Sequence, residues 1–152
     1  MFYGPPNANS LQLLKYYFTE HPEDVNKVIL SIKGAYDFTT HLPTGSPEAI
    51  RASVEEALRV LDGVKKIDIF EMARVDPEVE LETSIKALAE LVAEGKIGGI
   101  GLSEVSAATI RRAHAVHPIA AVENELSLFT TDSLTNGVLE TCHEREYLSL
   151  RL

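Results

Sequence analysis

Ile67-Asp68-Ile69-Phe70-Glu71-Met72-Ala73-Arg74-Val75-Asp76-Pro77 begins as an aliphatic run and ends in a polar, proline-closed loop. Residues 67–72 read as a β-strand, a short β-branched and apolar segment bounded by turn residues. Three further segments read the same way: Val28-Ile29-Leu30-Ser31-Ile32, Ile97 to Leu102, and Ile119 to Val122. Their starts near 28, 67, 97 and 119 lie 39, 30 and 22 residues apart. A parallel strand–helix–strand unit needs about 30 residues. A hairpin loop needs only about 2–5. The spacing therefore predicts βα units.

The intervening helices carry their own start and stop signals. Ser46 is placed to cap a helix with Pro47 at its first position, where a missing N–H does no harm. Ile50, Val54, Ala57, Leu58 and Leu61 form its apolar stripe, and Asp62-Gly63 ends it. The next helix presents Ile85, Leu88, Leu91 and Val92, with Gly95 where a left-handed C-terminal cap is wanted. Ser106 caps a third helix, with Ile110, Ala113 and Val116 inward and Pro118 beyond its end. An earlier helix spans about Ser10 to Glu20, and a weaker last one runs from Leu134 to Glu146.

Four parallel strands with alternating helices admit a small doubly wound sheet or part of a (β/α)8 barrel. A complete barrel normally takes about 250 residues, more than the 152 present. Periodicity does not choose between the two. Composition narrows the function. Fourteen Lys and Arg against 23 Asp and Glu leave a net charge of −9, which disfavours general binding to nucleic acid. No apolar run approaches the roughly 20 residues of a membrane span, and no secretory leader is evident. The lone Cys142 excludes an internal disulfide framework and multi-cysteine metal sites, and a reducing, cytoplasmic setting is expected.

The motifs choose the barrel. Residues 67–77 resemble the strand-four signature of the aldo-keto reductases, hydrophobic-Asp-Leu-Tyr-x-x-His-Arg-Val-Asp-Pro. Ile85 to Ile97 resembles that family's next helix and turn, and Ile100-Gly101-Leu102-Ser103-Glu104 its strand five. Ile110 to Pro118 and Glu123 to Phe129 resemble the segments that follow. Phe2-Tyr3-Gly4 is similar to the loop carrying the catalytic tyrosine, and Ser31-Ile32-Lys33-Gly34 to the strand-three end carrying the catalytic lysine. The matches run in order over about residues 2 to 145. Ala73, where most members have histidine, points to the fungal pyridoxal reductase branch.

The resemblance implies a partial (β/α)8 barrel of about four parallel strands, with residues 1–152 an incomplete aldo-keto reductase domain. The family's first two strands and everything after its strand six are expected to lie outside this sequence. It implies NADPH as cofactor and a small-molecule aldehyde such as pyridoxal as substrate. Tyr3 is then the candidate proton donor. An unperturbed tyrosine, with a pKa of about 10, is a poor acid at neutral pH. A nearby ammonium stabilises phenolate, which makes Lys33 its expected partner. Ser103 matches the serine that holds the nicotinamide amide, while Glu104 and Glu123 stand where the family has asparagine and glutamine.

Structural alternatives stand beside each assignment. Lys33 at the end of an aliphatic run otherwise only terminates the strand and reaches water. Tyr3, taken alone, is a frayed terminal residue. Ser103 otherwise serves a loop turn. Arg74 is expected to pair with Asp76 in the loop. Gly98 and Gly99 read as turn and close packing, because they precede a strand instead of linking strand to helix. His114 and His117 share a helical spacing without an evident third metal ligand.

The sequence leaves two other functions open. One is a catalytically inactive fragment acting by self-association through sheet edges, or by pairing with a full-length relative. The other is a small doubly wound nucleotide-binding module, which lacks the expected phosphate loop.

Overall fold

The structure, a computed structural model, describes residues 4–5, 8–144 and 149–151. In chain order its regular elements are α1 (Ser10–Glu20), β1 (Ser31–Gly34), β2 (Tyr36–Asp37), β3 (Leu42–Pro43), α2 (Pro47–Leu61) and β4 (Ile69–Met72). There follow α3 (Leu81–Ala93), β5 (Ile100–Ser103), α4 (Ala107–Val116), β6 (Ile119–Glu123), α5 (Val138–Glu144) and β7 (Ser149–Arg151). Five strands form one sheet in the order β1-β4-β5-β6-β7, and every pairing is parallel. One helix separates each consecutive pair, so the architecture is a partial α/β barrel. β2 and β3 form a separate antiparallel pair between β1 and α2.

The helix ends follow the sequence closely. The Ser46 hydroxyl accepts from the Ala49 N–H at 3.2 Å, with Pro47 next to it. Asp62 takes a left-handed conformation (φ 50°) that closes α2. Gly95 does so after α3 (φ 71°), and the Lys96 N–H then reaches back to the Leu91 carbonyl. Ser106 caps α4 by accepting from the Thr109 N–H.

Three expectations need correction. The first strand lies three residues later than the aliphatic run Val28–Ile32 suggests. Val28 and Ile29 are exposed, and the ladder begins at Ser31 opposite Ile69. The cause is Asp68. Its carboxylate takes the Leu30 N–H at 2.7 Å, while the Leu30 carbonyl accepts from the Asp68 and Ile69 N–H groups. The sheet also has a fifth strand, β7. Three residues are too few to show a period. Finally, the segment expected to be one helix from Leu134 divides into a 3-10 turn (Asp132–Leu134) and α5. Gly137 lies between them at φ 83°, and the Asn136 side chain accepts from the Val138 N–H.

Alternation along the strands separates two faces. Ile32, Phe70, Met72, Ile100, Leu102 and Val122 point outward and are buried beneath the helices. They pack against Ile50, Val54, Ile85, Leu88 and Ile110 of α2, α3 and α4. A Cβ on Gly34 would run into the Phe70 ring and the Ser53 hydroxyl, so glycine is what lets α2 approach β1. Gly98 likewise lies against the Asp68 carbonyl, as close packing required. Ion pairs join successive helices on the outside. Lys15 meets Asp62, Arg51 meets Glu94, Arg112 meets Glu82 and Arg111 meets Glu144.

Candidate active site

The inner face of the sheet is polar where the outer is apolar. Register places Lys33 beside Glu71, Glu71 beside Gly101, and Gly101 beside Ala121. One layer nearer the strand ends, Ser103 lies beside Glu123. Ala73 follows β4 directly, and its N–H bonds to the Gly34 carbonyl at 3.0 Å. Lys33, Ala73, Ser103 and Glu123 therefore gather at the carboxyl ends of parallel strands, the rim on which barrels of this kind build their sites.

Curvature brings the two ends of this row together. Neighbouring strands lie about 4.8 Å apart, so β1 and β6 would be roughly 14 Å apart in a flat sheet, with side chains projecting in parallel. Yet the Lys33 Nζ donates to the Glu123 Oε1 at 2.5 Å. The sheet has bent as a barrel wall bends, and the two side chains meet across the interior. Their side chains are 25% and 38% exposed, which leaves the pair open to a ligand from the rim. Glu71 lies deeper, 1% exposed, and accepts from the Ser31 hydroxyl. Its side chain occupies the space over Gly101, where a Cβ would collide with its Cγ. Glycine at 101 is thus a condition for keeping a carboxylate in the interior.

Ser103 is 1% exposed and accepts only a long 3.5 Å contact from Arg74. Among the described residues its own proton meets no acceptor. The neighbouring loop is tightly held. Asn124 accepts from the Val105 N–H and donates to the Val105 carbonyl, tying the ends of β5 and β6 together. Glu104 is held at φ 54°, its N–H bonded to the Glu123 carbonyl and its carboxylate accepting from the Glu125 N–H. A left-handed non-glycine residue at such a rim is locally strained.

Arg74 does not pair with Asp76. It donates to the Ala73 carbonyl at 2.6 Å, while Asp76 turns inward and accepts from the Gly45 and Glu78 N–H groups. Satisfying two backbone donors in a buried loop outweighs an exposed ion pair. Tyr3 lies outside the described residues. His114 accepts from the Ile119 N–H at 3.2 Å, and His117 caps the end of α4. The Lys33–Glu123 contact had no sequence signal, since the partners are ninety positions apart and meet only through curvature.

A nicotinamide carboxamide needs a donor for its carbonyl and an acceptor for its NH2. The unassigned Ser103 proton and the adjacent Glu123 carboxylate provide both kinds of group, so the residues present fit it.

Comparison with known proteins agrees with this geometry. The Aldo/keto reductase family pattern matches residues 2–147. The chain is 52% identical over 143 residues to a probable pyridoxal reductase 2 of Schizosaccharomyces pombe, covering 93% of this chain and 43% of the relative. It is 41% identical over 151 residues to a putative pyridoxal reductase of Saccharomyces cerevisiae, again covering 43% of the relative. Among solved structures, the glycerol dehydrogenase AKR11B4 from Gluconobacter oxydans superposes with a TM-score of 0.80 at 23% identity, covering 93% of this chain and 44% of the other. The fold defines part of an α/β barrel. The chain belongs to the aldo/keto reductase family, and it spans less than half the length of the relatives it matches.

Proposed function

We propose that this chain is the central part of an NADPH-dependent reductase of small aldehydes, with a pyridoxal-like substrate. The observation that carries the reading is the convergence of Lys33, Ala73 and Ser103 on one rim, with the Lys33 ammonium inside the barrel curve. Its similarity to pyridoxal reductases supports the substrate class.

A nicotinamide held here would supply hydride. Ser103 would donate to its carboxamide carbonyl and Glu123 would accept from its NH2. Tyr3 gives a proton to the nascent alkoxide, and the Lys33 ammonium stabilises the phenolate left behind. Ala73 has no hydrogen-bond donor, so substrate orientation falls to other groups. Self-association through the outer edges of β1 and β7 belongs to the same proposal. Each has one ladder partner among the described residues. Sedimentation at micromolar concentration tests it, and a clean monomer refutes it.

Titration of NADPH fluorescence tests the enzyme reading. Saturable quenching or enhancement, with NADPH consumption on adding pyridoxal, is expected. Tyr3→Phe should lower turnover by about a hundredfold or more, the usual contribution of a general acid. Absence of binding at high micromolar NADPH overturns the reading.

A further inference from the structure

We propose that Glu123 is the positioning residue for Lys33. It anchors the ammonium inside the barrel, at the rim shared by Ala73 and Ser103, and its role rests on the enzymatic reading above only in what that ammonium is for. Two carboxylates face the interior near Lys33. Glu71 is the nearer by register, since its Cα is the direct partner of Lys33 on the adjacent strand. Glu71 nonetheless bends across Gly101 and takes the Ser31 hydroxyl. Glu123, three strands away, receives the Lys33 Nζ at 2.5 Å.

The choice has a physical cause. Gly101 has no side chain and Ala121 only a methyl, so between β4 and β6 the inner face is covered by nothing of β5 itself and by the Glu71 and Ile69 side chains that lean over Gly101. A long lysine side chain can cross it above Glu71. Glu123 is itself fixed at the root, because the Glu104 N–H holds its backbone carbonyl at 2.8 Å. The Asn124 clamp on Val105 fixes the next residue. A carboxylate on a rigid strand end thus determines where a flexible ammonium rests. Without it, Lys33 loses its place and swings toward solvent.

Carbodiimide treatment of the unaltered chain, followed by mass spectrometry, reads the contact directly. A zero-length amide between Lys33 and Glu123 is expected, formed with loss of water to the reagent. A Lys33 cross-link to Glu71 in its place, or none, overturns the proposal.

Trace acylation of lysines then reads the positioning. Relative to exposed Lys27, the labelling of Lys33 should rise about threefold in Glu123→Gln, as loss of a partly exposed ion pair allows. Glu123→Asp should restore most of the protection. Lys65, buried at the opposite end of the sheet, must stay protected in each variant and so reports an intact fold. Unchanged Lys33 labelling in a folded Glu123→Gln chain overturns the proposal. Should NADPH fail to bind while the cross-link and labelling pattern hold, the enzymatic reading falls and the positioning stands.

Discussion

Replacing Asp68 by alanine removes the acceptor that sets where the sheet begins. The Asp68 carboxylate takes two donors on one oxygen, the Leu30 N–H at 2.7 Å and the Lys65 Nζ at 2.6 Å. The Lys65 side chain is 5% exposed and that of Asp68 34%. Removing one partner of a fully buried pair costs about 3–5 kcal/mol, because the remaining charge is uncompensated. Since Asp68 is one-third exposed and water can reach the site, we expect about 2–3 kcal/mol. Lys65→Met should cost less, and the double variant less than the sum, because the stranded charge is then absent.

The pH dependence has a defined sign. Burial pushes the Asp68 carboxyl up, but the Leu30 N–H and the Lys65 ammonium together bring it below the usual carboxylate range. A lowered folded-state pKa means that its stabilisation is present above the unfolded pKa of about 3.9 and fades as pH falls through the folded value. Urea unfolding followed by far-ultraviolet circular dichroism, at neutral and at acidic pH, measures both effects. An Asp68→Ala chain within about 0.5 kcal/mol of the parent at neutral pH, the range of an ordinary surface substitution, would refute this account.

Gly101→Ala should destabilise the chain by about 1–3 kcal/mol in the same unfolding assay, since its new methyl must displace the buried Glu71 side chain. Glu104→Asn should raise the urea midpoint, because asparagine tolerates the left-handed φ of 54° better than glutamate does. Arg51 and then Lys96 hydrogen-bond to Glu94 and hold its carboxyl down at about 2. Arg51→Met should therefore flatten the loss of stability between about pH 4.5 and pH 2, read as unfolding midpoints across that range.

Much of the outer architecture was legible because its causes are local. Ser46, Pro47, Asp62, Gly95 and Ser106 act within a few residues of themselves, and the structure uses each as the sequence implies. The offset of β1 was not legible, because it depends on a carboxylate 38 positions away capturing the Leu30 N–H. The two-residue strands of the β2–β3 pair and the three-residue β7 are too short to show a period. Asp76 misled for a related reason. An acid two residues from Arg74 suggests an ion pair, but folding presents it with the buried N–H of Gly45 from the other side of the loop. At the site, Lys33 stood out as a cation closing an aliphatic run. Its tie to Glu123 required knowledge of the bend.

The single succession of strands, with each helix linked to the next by exposed ion pairs, has a mechanical consequence. Damage is carried unequally along such a row. An interruption at β5 severs the sheet into two pairs joined only through the helix layer, whereas detachment of β7 disturbs one seam. Amide hydrogen exchange should accordingly grade from slow in β4 and β5 to fast in β7, following position in the row more closely than the strength of any one contact.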